Sequence, residues 1–268
     1  MRRPSPSCVM WRILPPLLIA MIIMALWSWL AYREILPVTI LPPPDQVARR
    51  LIIQISSGRL LYPLWVTISE SLLGAIVGTM IGIPLAWLIA HSSIVEAAVN
   101  PYLAASQAIP AIAIAPLLVI WLGYGLAPIV VLCAIMVIFP VVISTTLGLN
   151  RLDRNVLNAA ELDGADRYHL ARWMEWPMAL PAILSGIRNG FTLSVTGAVV
   201  GELVMGGRGL GQQLAIQSQA NDITGLFATI IVLCLVAVAI FGLLKGMEWL
   251  FDPYASRARW RLTARKGM

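Results

Sequence analysis

Charged side chains gather in one stretch, Asn150 to Gly190, where Arg151, Asp153, Arg154, Glu161, Asp163, Asp166, Arg167, Arg172 and Glu175 interrupt a chain that is otherwise largely apolar. An ion held in hydrocarbon costs about 3 kcal/mol or more, so this segment belongs in water or against another protein. Asp153 suits the cap of a short helix running through Ala159 and Ala160, and Gly164 suits the left-handed residue that ends one. Asp166 then starts a second helical stretch to about Met174, which Pro177 is expected to break. Small residues at such an elbow let a partner approach the backbone, while the flanking charges set register. A solvated loop between two spans is the competing reading.

The other polar groups point away from catalysis. His91 and His169 are the only histidines, and neither has acids or cysteines beside it in the sequence. Cys8, Cys133 and Cys234 form no C-x-x-C pair, which disfavours a metal or disulfide site. The turn Gly206-Gly207-Arg208-Gly209-Leu210-Gly211 lacks the G-x-x-x-x-G-K-[ST] pattern of a phosphate loop, so no nucleotide site is visible. Thr192 and Thr196 lie one turn apart and share a face that could line a water-filled pathway or bond back to its own helix. Glu70 and Glu202, each near a span end, must be paired, wet or functional. For Glu202 a gate and a structural ion pair are both open.

The elements that must position these groups are membrane helices. Of the 268 residues 59% are hydrophobic and 12% charged, against about 45–50% and about 25% in soluble domains. The run after the basic segment Met1 to Arg12 is long enough to span at roughly 20 residues and has no small-residue cleavage site, so it is expected to stay as a span. Spans are expected over about 13–31, 62–90, 101–121 (interrupted by Pro110 and Pro116), 128–149 (interrupted by Pro140), 181–204 and 223–246. The stretch that follows Leu41-Pro42-Pro43-Pro44-Asp45 and stops near Gly58 reads as a short amphipathic helix along the outer interface, and 91–100 as a short inner turn. Gly74, Gly78 and Gly82 recur every fourth residue and describe a close-packing stripe. With the N-terminus inside, fourteen Lys and Arg face the cytoplasm (three before residue 13, five within 151–188, Lys245 and five in the tail) and five face out. That bias supports a cytoplasmic Asn150–Gly190 stretch.

The spacing Ala159-Ala160, Gly164, Pro177 resembles the EAA loop of ATP-binding-cassette (ABC) importer permeases, E-A-A, three residues, G, nine residues, I-x-L-P. Asn158 stands where Glu is usual, and Met174 and Trp176 at the Ile and Leu positions. Ala179-Leu180-Pro181, Gly186-Ile187-Arg188, Gly201-Glu202 and Gly209-Leu210-Gly211 are similar to the nitrate/sulfonate/taurine type. The resemblance implies an all-α polytopic protein of the type I ABC importer permease fold, with about six transmembrane helices and both termini cytoplasmic. It implies one permease domain over 1–268, comprising a basic tail (1–12), a core (41–250) holding the coupling loop (150–180), and a second basic tail (251–268). Asn158, Ala159, Ala160, Glu161, Gly164, Ala165 and Asp166 would meet a separate ATPase, and Glu70, Ser106, Gln107, Thr192, Thr196 and Glu202 would line the pathway. The expected assembly is two permeases, as a homodimer, two ATPase subunits and an extracytoplasmic binding protein in the bacterial inner membrane. ATP and magnesium would sit on the ATPase, leaving no cofactor and no enzyme activity in this chain. Glu70 and the Ser106–Pro110 and Gly197–Glu202 runs resemble the branch for thiamine-pyrimidine and riboflavin precursors more than the anion branch. An ion-driven secondary transporter is the alternative, although the halves show no repeat.

Overall fold

The computed structural model describes residues 6–33 and 37–251. Within its helices the side chains of 6–13, 16, 17, 104, 106–108 and 248–251 are outside that description, as are the basic residues of both termini. The described residues are all helical in their regular structure: α1 Pro6–Tyr32, α2 Pro44–Ser56, α3 Leu61–His91, α4 Ser93–Ala108, α5 Ala111–Leu122, α6 Leu126–Asn150, α7 Arg154–Leu162, α8 Arg167–Leu170, a π-helical turn Ala171–Glu175, α9 Trp176–Met205, α10 Leu210–Gln219 and α11 Ile223–Phe251. Four stretches are long and apolar enough to cross a membrane: α3, α6, the continuous helical run Arg167–Met205, and Ile223–Met247 of α11. Shorter apolar stretches occupy Leu18–Tyr32 and Ala111–Leu122.

The chain divides into two compact units. In the one holding residues 1–59 and 214–232, the Trp27 indole N–H donates to the Pro42 carbonyl at 3.0 Å, and its ring lies 5.8 Å from that of Phe227. Helix α2 starts at Pro44, where a missing N–H is harmless. It buries Val47 and leaves Ile52, Ile53 and Ile55 exposed. Arg50 pairs with Asp222 at 2.5 Å.

In the unit holding residues 60–213 and 233–252, α6 is the central helix, packed by α3 on one side and α9 on another. The expected glycine stripe makes the first of these contacts. A Cβ at Gly78 would fall 2.7 Å from the Ala134 carbonyl oxygen and 2.7 Å from Val137 Cβ, and one at Gly82 would fall 3.0 Å from Val141 Cγ1. Helix α9 repeats the device: a Cβ at Gly186 would meet Ser144 Cβ at 2.7 Å, and one at Gly190 would meet Val137 Cγ1 at 2.9 Å. Lipid supplies no hydrophobic force between helices, so backbone approach and dispersion hold this trio together. Ala75, Val137 and Val141 are fully buried in the seam.

The expectations for the inner turn and for Pro116, Pro140 and Pro177 need correction. The inner turn expected at 91–100 shrinks to Ser92, whose hydroxyl accepts the Val95 N–H and caps α4. The span 101–121 is interrupted at Pro110 as expected, because the residue before a proline avoids the helical region and Ile109 is extended (φ −85°, ψ 118°), but Pro116 and Pro140 lie inside the continuous helices α5 and α6. Nor does Pro177 break its helix. The π turn just before it lets the Trp176 N–H reach Ala171 O, widening the coil so that the proline ring and its missing donor sit at the start of α9.

Gly78→Val should therefore overpack the seam and destabilise the protein by about 1–3 kcal/mol. Gly242→Ala, whose added Cβ would meet nothing within 4 Å, should not. Thermal unfolding in detergent compares the two, and equal effects would show that the seam is not tightly packed.

Candidate functional site

Polar groups collect at the two ends of the α3–α6–α9 trio. At the end marked by His91, Asn150 and Trp176 lies the elbow. Asp153 Oδ1 accepts the Asn155 N–H at 2.9 Å and starts α7. Its far end closes with the Ala165 N–H on Ala160 O (3.0 Å) and the Gly164 N–H on Glu161 O (3.0 Å), with Gly164 at φ +92°. This is the Schellman pattern, in which a left-handed residue reverses the chain. It explains the spacing read in the sequence: Ala160 and Ala165 are the pair whose backbones bond across the turn, and Gly164 is the left-handed residue between them. Nothing lies within 4 Å of a Cβ at Gly164, so conformation rather than space demands glycine there.

The next residue, Asp166, caps α8 by accepting the His169 N–H at 2.8 Å, with His169 Nδ1 at 2.7 Å. The His169 backbone N–H, and then its ring, hold the Asp166 carboxyl below the usual carboxylate range. None of the α7 residues is buried, and Leu162 is 89% exposed. Tyr168 and Trp173 are exposed as well.

Asn158 and Glu161 turn the other way. With Arg154, Asn150, His91 and Glu175 they line a polar cavity of 240 Å³. His91 has the company that its sequence neighbourhood lacked: Nε2 lies 3.0 Å from Glu175 Oε2 and Nδ1 3.0 Å from Trp87 O. This contact ties the end of α3 to the π turn. No third donor joins it, and among the described residues no group of three His, Cys, Asp or Glu is placed to hold a metal.

At the opposite end of the trio, Glu202 is fully buried. Its carboxylate accepts the Thr67 hydroxyl (2.7 Å) and the Gly211 N–H (2.5 Å), while Thr67 Oγ1 accepts the Leu210 N–H (2.8 Å). No cation pairs with it among those contacts; it is a clamp joining α3, α9 and the glycine turn. A Cβ at Gly209 would collide with that carboxylate, which is why the turn is built of glycine. Thr67 escaped the sequence reading, although it shares a helix face with Glu70 three residues on. Glu70 itself is buried against Glu202. Of the remaining pathway candidates, the Thr192 hydroxyl donates to Arg188 O of its own helix at 3.0 Å, and Thr196 is exposed. Ser106 and Gln107 close α4, and their side chains lie outside the described set.

The family model described as "Binding-protein-dependent transport system inner membrane component" matches residues 78–248. A riboflavin transport system permease protein of Chloroflexus aurantiacus is 35% identical over 228 residues, covering 85% of each chain. A formylaminopyrimidine transport permease protein of Halalkalibacterium halodurans is 32% identical over 244 residues, covering 91% of this chain and 97% of that one. Among solved structures, an inward-facing methionine ABC transporter superposes with a TM-score of 0.63 at 18% identity, over 72% of this chain and 95% of that one.

Thr67→Val removes one donor to Glu202 and one acceptor for Leu210. Leaving buried partners unsatisfied costs about 1–3 kcal/mol, so hydrogen exchange at Leu210 and Gly211 and tryptic cleavage at Arg208 should both accelerate. Unchanged protection would remove Glu202 and Thr67 as the clamp.

Proposed function

The chain belongs to the binding-protein-dependent transport system inner membrane component family, and from that premise we propose how its two polar ends share the work of import. It is a permease subunit of an ABC importer, set in the inner membrane. The elbow at residues 150–180 faces the cytoplasm and docks on a separate ATPase, the whole chain acting as one permease domain. Ala159, Ala160, Gly164, Ala165 and the capping Asp166 form the docking turn. Asn158 and Glu161, on the cavity beside the ends of α3 and α6, join that surface, and Leu162 offers the apolar contact.

ATP and magnesium are held by two ATPase subunits. Their closure pushes the elbows of two permease copies together, and the continuous helical run from Arg167 to Met205 carries that displacement across the membrane. The His91–Glu175 contact passes it to α3 as well. Cargo arrives from an extracytoplasmic binding protein and moves between the permease copies past Glu70, Ser106, Gln107, Thr192 and Thr196, with Glu202 held behind them in its buried clamp. The similarity to riboflavin and formylaminopyrimidine permeases, together with an acid where an anion would be repelled, supports a heteroaromatic cargo over nitrate, sulfonate or taurine.

The observation that carries this reading is an exposed, Schellman-closed helix with a bare leucine, joined by the tight turn 163–166 to the continuous, membrane-crossing helical run Arg167–Met205. Gly164→Val forces a branched residue into a left-handed conformation, at about 1–2 kcal/mol, and Ala160→Glu adds bulk and charge at the turn. Both variants should insert and assemble, yet lose stimulation of ATP hydrolysis by the loaded binding protein in reconstituted complexes. Full stimulation in both would contradict docking through this elbow.

A further inference from the structure

At the end of the trio away from α7, the first turns of α3, the turn between α5 and α6 and the glycine turn after α9 enclose a cavity of 560 Å³. That is within the range of small-molecule sites, about 300–1,000 Å³. Its wall carries Tyr62, Glu70, Tyr124, Ile129, Met205 and Arg208. Glu70 is 4% exposed, and its Oε2 has no hydrogen-bond partner among the described residues. Buried acceptors are almost always partnered, so this oxygen calls for a donor that the protein does not supply.

The neighbours narrow what that donor can be. Both oxygens of Glu202 are already engaged by Thr67 and Gly211. A hard cation, which takes six or so oxygens, would therefore find essentially Glu70 alone. Arg208 lines the same cavity, but an anion drawn to it would sit beside the paired carboxyl groups of Glu70 and Glu202, and juxtaposed like charges are costly. What fits is a guest with an N–H group and a flat face: the N–H for Glu70, the face for the tyrosine rings, whose stacking and edge contacts favour planar aromatics. Tyr124 is 85% exposed and so is free to close over such a ring.

We propose that this cavity is a binding chamber of the permease itself, which receives a planar heteroaromatic compound bearing an amino or ring N–H donor, with Glu70 as the acceptor and Tyr62 and Tyr124 against the ring. The proposal rests on the import reading above. If α7 faces the ATPase, the chamber lies on the side where the binding protein releases cargo. Selection would then occur twice, once in the binding protein and once on entry to the membrane.

The test uses the assembled importer, permease with ATPase, in lipid nanodiscs without the binding protein, and the same assembly in proteoliposomes with it. Riboflavin and a 4-aminopyrimidine are the probes. The nanodisc complex should bind one of them saturably, and Glu70→Ala should weaken that binding about tenfold, as loss of a buried hydrogen bond implies. Tyr124→Ala, at a position too exposed to matter for folding, should weaken it as well. If the proteoliposomes import a probe while both variants bind and import it with unaltered affinity, the chamber is refuted and the import reading stands. If neither probe is imported but taurine or nitrate is, the cargo reading fails and the chamber with it.

Discussion

Backbone-to-backbone approach along α6 is the constraint on which the rest depends. Gly74, Gly78 and Gly82 from one side and Gly186 and Gly190 from the other leave no room for a Cβ against Ala134, Val137, Val141 and Ser144. In lipid, where apolar side chains gain little by leaving the solvent, such contact is what makes three helices behave as one body. A body of that kind has two ends that move together, and polar groups collect at both.

Each end satisfies its polar groups by a different route. At the elbow, backbone carbonyls that a helix leaves orphaned are recaptured by the turn at Gly164, and Asp153 and Asp166 recapture the N–H groups at the two helix starts. At the other end one buried carboxylate, Glu202, collects donors from α3 and from the glycine turn. The π turn at Ala171–Glu175 matters because it keeps the path between these ends helical past Pro177. A break there would have isolated the elbow from the membrane.

Features set by neighbours a few residues apart were legible in the sequence. The four-residue glycine period, the amphipathic stretch that stops near Gly58 and the Asp153–Ala160–Gly164 elbow all express local geometry. Proline was read less well. Pro110 interrupts the helical path as expected, through the conformation of Ile109, while Pro116 and Pro140 stay within continuous helices and Pro177 is absorbed by a wider turn. Contacts across long separations were not legible at all. Thr67 and Glu202 are 135 positions apart, and His91 and Glu175 are 84, so only the packing of α3 beside α9 and the π turn brings them together. For Glu202 the sequence left a gate or an ion pair open; that its partners are a hydroxyl and a backbone amide could not be read.

The account is tested most directly by disulfide trapping at Leu162→Cys, in a chain with Cys8, Cys133 and Cys234 replaced, co-assembled with an ATPase carrying single cysteines on its membrane-facing surface. It predicts a cross-link to the ATPase whose yield changes when ATP binds. A cross-link to the extracytoplasmic binding protein instead, or none to the ATPase in an intact complex, would contradict it.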